Sequence, residues 1–223
     1  MPITTCLFDL DGTLVDSITL IVDSFRHAIS AHTSATPSDE DLIAGIGTPL
    51  LDQLGQYTES SDTVDAMVES YRDYYIEKHN TMVTAYPGVK EGVAALCQQG
   101  IKLGVVTSKN QEGARRSLDH TGLTNFFRVI IAIEDTDEHK PNAAPVLAAL
   151  KALEATPEEA IFVGDSTHDL QAGRNAGVIT AAVGWTPFQH DSLRSCRPDL
   201  WLKDARSDFP QIPALAEAFK NQS

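Results

Sequence analysis

Asp9-Leu10-Asp11-Gly12-Thr13 follows an apolar run, residues 3–8, that reads as a buried strand. Two carboxylates thus stand at i and i+2 where the strand ends, the spacing that keeps side chains on one side of an extended chain. Gly12 then breaks the strand and turns the chain. Two acids held together repel one another unless something uses them. Three uses are open: a metal ion, a proton shared between them, or a nucleophile beside a general acid.

Working outward, short apolar runs recur at residues 101–107, 129–133, 160–163 and 179–183. Helical periodicity falls between them at 89–99, 112–121, 144–153 and 170–176. Continuous rather than alternating hydrophobicity marks strands covered on both faces. Strand alternating with helix predicts an α/β fold, a doubly wound parallel sheet of the Rossmann-like kind. Residues 16–82 break the rhythm and read as helices only. Ile18, Ile21, Val22, Phe25, Ala28 and Ile29 recur at helical spacing, as do Val64, Met67, Val68, Tyr71 and Tyr75. Ser38-Asp39-Glu40-Asp41 has the form of a helix start, with Asp in place of the usual Glu or Gln of a capping box. The expected division is a core of residues 1–15 and 83–223 with an inserted helical cap, 16–82, returning near the turn signal Tyr86-Pro87-Gly88.

The chain has 223 residues, 42% of them hydrophobic, enough for one sizeable core and a smaller unit. Its formal net charge of -14 repels phosphate backbones and anionic membrane surfaces, so neither nucleic acid nor membrane is an expected partner. A small anionic substrate then needs local positive charge or a metal cation at the site. Cys6, Cys97 and Cys196 show no ligand spacing; with Cys6 and Cys97 read as core, free thiols point to a reducing cytoplasm. No signal peptide and no apolar run of transmembrane length is read. Oligomeric state is not legible.

A second acidic constellation lies far downstream. The run 160–163 leads into Gly164-Asp165-Ser166-Thr167-His168-Asp169, again a buried strand ending in a glycine and carboxylates at a turn. Ligands of open α/β sheets bind beyond the carboxyl ends of the strands, where Asp9, Asp11, Asp165 and Asp169 are expected to converge. An all-oxygen cluster suits a hard cation, and Mg²⁺ is the usual choice with phosphate. Two further strand ends lead into Thr107-Ser108-Lys109-Asn110, whose hydroxyls and turn amides suit phosphate oxygens, and into His139-Lys140-Pro141. Lys140 is a cation on a chain short of them, suited to neutralising a phosphoryl group or a nucleophile's charge. Taken alone, Thr107 and Ser108 would be an ordinary helix start and Lys140 a solvated lysine. His168 reads as a loop residue, His79 and His139 as surface residues, and Trp185 as rim or core packing.

On these four ordered motifs, the first running on to Leu14-Val15-Asp16-Ser17, the chain resembles the haloacid dehalogenase superfamily in its phosphatase branch. The resemblance covers essentially the whole chain, and residues 16–82 look like that family's small helical cap. It implies that Asp9 attacks phosphorus and becomes an aspartyl phosphate, while Asp11 protonates the leaving oxygen and then deprotonates water. It also implies Mg²⁺ on Asp9, on the backbone carbonyl of Asp11 and on Asp165, with Asp169 a ligand or an anchor behind one. Thr107, Ser108 and Lys140 would hold the phosphoryl group. Gly47, in the cap turn Gly45-Ile46-Gly47-Thr48, would face the substrate if that turn is more than a helix-to-helix link.

Asp11 argues against dehalogenation, since a halide leaving group needs no proton. Within the branch the chain is similar to phosphoglycolate phosphatases and, more closely, to bacterial pyrophosphatases. The closer likeness rests on Glu69-Ser70-Tyr71-Arg72, on the stretch 133–141 and on Val183-Gly184-Trp185-Thr186. The expected function is a Mg²⁺-dependent phosphohydrolase acting on pyrophosphate or a small phosphorylated metabolite. A phosphosugar mutase of the same fold is the alternative, disfavoured by Thr13, where mutases resembling this chain usually have Val. A catalytically silent binding protein is the alternative of another class.

Overall fold

The computed structural model describes residues 1–186, 188 and 190–221. The chain divides into two units, Met1–Asp16 with Ala85–Ser223, and Ser17–Thr84.

The larger unit is built on a six-stranded parallel sheet. From edge to edge its strands are Val129–Ile131, Lys102–Val106, Thr5–Phe8, Ala160–Gly164, Ile179–Val183 and Leu200–Leu202. Thr5–Phe8, Ala160–Gly164 and Ile179–Val183 are buried at every residue. This is why their sequences run apolar without alternation: helices cover both faces. The doubly wound parallel sheet expected from the sequence is thus present. Three of the strands are shorter than their apolar runs, while Ile179–Val183 matches its run and Ala160–Gly164 extends one residue beyond it. The run 129–133 stops as a strand at Ile131 and passes into a 3-10 turn, Ile133–Asp135.

Leu200–Leu202 escaped the sequence reading. Three residues between Asp199 and Lys203 are too few to show a period. The strand is docked by its flank: Asp199 Oδ2 accepts from the Thr180 amide at 2.8 Å and from its hydroxyl at 2.9 Å.

Strand order decides where a ligand can bind. From Thr5–Phe8 the chain moves out to Lys102–Val106 and Val129–Ile131, then crosses back to Ala160–Gly164 on the other side. The first strand is therefore the switch point, and a crevice opens beyond its carboxyl end.

Ser17–Thr84 is helical, with helices Ile18–His32, Asp39–Ala44, Leu50–Gly55 and Ser61–Met82. The two long helices pack through the predicted apolar positions; Phe25 and Tyr71 have ring centroids 4.7 Å apart. Ser38 caps its helix in a reciprocal box with Asp41, so the shorter acid does the work of Glu here. His79 is fully buried near Tyr75, which corrects its reading as a surface residue. It sits on the inward face of Ser61–Met82, a placement a lone polar residue does not announce. No described helix is long and apolar enough to cross a membrane.

Candidate active site

Asp9 leaves the end of Thr5–Phe8 with its amide still in the sheet, donating to the Val163 carbonyl at 2.9 Å. Thr107 does the same at the end of Lys102–Val106, donating to the Ile131 carbonyl at 2.9 Å. The two residues are thus carried on the ladder itself, the stiffest part of the fold.

Gly12 has φ +83°, and a Cβ there would lie 2.0 Å from Asp165 Oδ2. The turn after Asp11 therefore requires glycine twice over, for its backbone angle and for the close approach of the second acidic motif. Gly164 is similar in space: a Cβ would meet Asp169 Cβ at 2.3 Å.

Asp169 is held from its own helix, Thr167–Asn175. Its Oδ2 accepts from the Ser166 amide at 3.0 Å and hydroxyl at 2.6 Å, closing a capping box. That helix begins three residues before the apolar pattern does, so His168 lies in its first turn and not in a loop.

Lys140 reaches this centre from the segment after Val129–Ile131. Its ammonium donates to Asp9 Oδ1 and to Asp169 Oδ1, each at 2.7 Å, and to the Val106 carbonyl at 3.3 Å. It is 6% exposed, so the solvated-lysine reading does not apply. Burial works against its charge, but Asp169 and Asp9 more than reverse this and hold it above the ordinary lysine range.

Asp165 is clamped by two hydroxyls, Thr13 Oγ1 at 3.4 Å on Oδ1 and Thr186 Oγ1 at 3.1 Å on Oδ2. Trp185 packs against Tyr86 and Phe209, and its indole N–H donates to the Thr13 carbonyl at 3.1 Å, which supports the clamp from behind.

Asp9, Asp165 and Asp169 each offer a carboxylate oxygen, all within 4.8 Å of one another and all buried. Burial, more than the neighbouring carboxylates, pushes Asp9 up to about 7 even against the pull of Lys140. Asp165 is raised for the same reason, with Asp9 and Asp169 adding to it. Three buried carboxylates face one ammonium. The donor set is all oxygen and short of positive charge, which fits a hard divalent cation.

The Asp11 carboxylate is not in that group. It is taken by Lys109, whose ammonium lies 2.6 Å from Oδ1 and 2.8 Å from Oδ2. Sequence reasoning gave Lys109 no part of its own; no periodicity marks a lysine in a turn, and only its place two residues after Thr107 hinted at it. The Lys109 amide donates to Thr107 Oγ1 at 3.2 Å, so this turn is folded onto the threonine. Ser108 stands between the two, half-buried. Gly47 belongs to the Ser17–Thr84 unit, in its turn at φ +100°.

The profile of the haloacid dehalogenase-like hydrolases matches residues 6–183, and the chain belongs to that family. It is a phosphatase-type hydrolase, as its four motifs imply. The chain is 40% identical over 216 residues to a pyrophosphatase, PpaX, of Bacillus cereus strain G9842, covering 97% of this chain and 98% of that one. Among solved structures, a predicted phosphoglycolate phosphatase of Haemophilus somnus superposes with a TM-score of 0.84 at 25% identity, over 92% of this chain and 96% of the other. A β-phosphoglucomutase of Clostridium difficile reaches 0.85 at 18% identity, over 98% and 99%, a likeness of fold alone.

Proposed function

We propose that this chain is a Mg²⁺-dependent pyrophosphatase working through an aspartyl-phosphate intermediate. The observation that carries phosphoryl transfer is the buried chain Asp9–Lys140–Asp169 beside Asp165 at the sheet's switch point. Pyrophosphate as substrate is supported by the near full-length likeness to the Bacillus cereus enzyme.

Asp9 is the nucleophile. One of its oxygens forms a bond to phosphorus as the bond from phosphorus to the leaving phosphate oxygen breaks. Water then attacks the acyl phosphate, returning the Asp9 carboxylate and phosphate. Asp11 handles the proton, given to the leaving oxygen and recovered from the water. Lys140 and Thr107, with Ser108 beside them, neutralise and orient the transferring group, and Asp169 holds Lys140 in place. Asp9, Asp165 and the Asp11 carbonyl are the residues that would hold Mg²⁺, which when bound offsets phosphoryl charge and favours the ionised nucleophile.

The test is a Mg²⁺-supplemented panel of pyrophosphate, 2-phosphoglycolate and sugar phosphates, with glucose 1-phosphate and a bisphosphate primer as the mutase arm. Pyrophosphate is expected to lead in kcat/KM. A clear lead for any phosphomonoester, or glucose 6-phosphate formed faster than free phosphate, overturns the substrate assignment. No turnover of any of them would revive the silent binding protein.

A second expectation follows from burial of the acids. Asp9 titrates near 7 when folded and near 4 when unfolded, and Asp165 is displaced in the same direction. Between those values the folded protein binds more protons than the unfolded, so this contribution to stability is lost as pH rises. A bound divalent cation replaces those protons. Mg²⁺ is therefore expected to raise Tm more at pH 8 than at pH 5, by roughly 4–8 °C, or ~2 kcal/mol at the slope for this chain length. Equal Mg²⁺ shifts at both pH values would contradict the assignment of the cation to these acids.

A further inference from the structure

We propose that Lys109 is a specificity-determining residue: its ammonium binds a second anionic group on the substrate, beside the scissile bond, and releases Asp11 in doing so. This rests on the phosphoryl-transfer reading above and names the substrate feature that the site selects.

The two site lysines are held differently. Lys140 bridges two buried carboxylates and has a side chain 4% exposed, so its charge is committed. Lys109 is paired with Asp11 alone of the site carboxylates, each side chain 13% exposed, a partly buried pair more open than that of Lys140. The pair is partly buried, so its ammonium needs an anion at all times, and an incoming phosphoryl oxygen can take the place of the Asp11 carboxylate without leaving that charge unpaired. A phosphoryl oxygen is an equal or better acceptor for an ammonium, whose three donors need only change partner.

Position favours the exchange. The Lys109 backbone is fixed to Thr107 Oγ1, and Thr107 is assigned to the transferring phosphoryl group. Its side chain extends from there to Asp11, which is assigned to the leaving oxygen. An anion attached to that leaving oxygen therefore arrives where the Lys109 ammonium already is. The chain carries 17 Lys and Arg against 31 Asp and Glu, so a second substrate charge placed among site carboxylates needs a dedicated cation. While both Asp11 oxygens accept from Lys109, neither faces a leaving group. A substrate with a second anionic group separates the pair and completes the site; one without it leaves Asp11 engaged. The substrate class is thus a phosphoanhydride or a phosphate ester with an adjacent anionic group.

The experiment compares kcat/KM for pyrophosphate with that for p-nitrophenyl phosphate, whose leaving group carries no second anion, in the parent, Lys109→Gln and Lys109→Arg with Mg²⁺. Lys109→Gln is expected to lower the ratio of the two by about 30-fold or more, chiefly through KM for pyrophosphate, because a built site left without its partner discriminates strongly. Lys109→Arg is expected to recover most of the ratio. An equal fall on both substrates overturns the proposal, since Lys109 would then act only through Asp11 or the fold. A parent inactive on pyrophosphate would defeat the substrate reading instead. In that case, binding of methylenediphosphonate and methylphosphonate with Mg²⁺ still decides. A loss in Lys109→Gln confined to the bisphosphonate supports the proposal; unchanged affinity for both overturns it.

Discussion

Asp9→Asn is expected to lower kcat by at least roughly 10⁴-fold, the scale on which removal of a covalent nucleophile is felt. The amide keeps the carboxylate's shape, and its oxygen can still accept from the Lys140 ammonium now 2.7 Å away. What it loses is the charge that attacks phosphorus. The fold should survive and even gain. Burial pushes Asp9 up to about 7, so its ionised form is the less favoured one in the protein without metal. A neutral isostere removes that cost, and the metal-free variant is expected to melt at or above the parent at pH 8. Intact melting with lost turnover separates chemistry from stability. Rapid acid quench with labelled substrate adds the decisive reading: labelled phosphate retained on the parent and absent from the variant. Retention of more than about 1% of the parent's Mg²⁺-dependent turnover would remove Asp9 from the nucleophile's role.

The sheet was legible because its central strands are buried on both faces, and such burial writes unbroken apolar runs such as 160–163 into the chain. The acids were legible for a related reason. A carboxylate at the end of a buried strand, beside a glycine turn, is costly without a use, so Asp9 and Asp165 stand out. Convergence of Asp9, Asp165, Asp169 and Lys140 depends on strand order, which periodicity does not encode. For the acids it was reached from the rule that ligands of open α/β sheets bind beyond the carboxyl ends of the strands, and resemblance added the roles. Three features left no pattern. Leu200–Leu202 is too short to show a period and is placed by the Asp199–Thr180 contact. His79 is buried by tertiary packing that its own position does not reveal. Lys109 lies in a turn, where side-chain direction is set by the local backbone, so its pairing with Asp11 appears only in three dimensions. The Ser166–Asp169 box, by contrast, has the same Ser-x-x-Asp spacing already read at Ser38–Asp41 and was there to be found.

Lys140→Met is expected to be the most destabilising single change at this site. Methionine has nearly the length of lysine and no charge, so it fills the space while leaving Asp9 and Asp169 without their ammonium. Breaking a buried ion pair from one side costs about 3–5 kcal/mol, because the remaining charge stays desolvated. At the slope for a chain of this size that is a fall in Tm of roughly 6–20 °C. The loss should depend on pH in a fixed direction. At pH 5 Asp9, already raised to about 7 in the parent, holds a proton with or without Lys140, so the cost shrinks. At pH 8 Asp9, raised further by the loss of Lys140, must either ionise uncompensated or keep a proton that the unfolded chain gives up, and the deficit against the parent is largest. The double variant Lys140→Met with Asp169→Asn removes one orphaned charge and is expected to recover part of the stability while recovering no activity. A Lys140→Met protein that melts like the parent at both pH values would mean that the three side chains do not share their charge as the 2.7 Å contacts require.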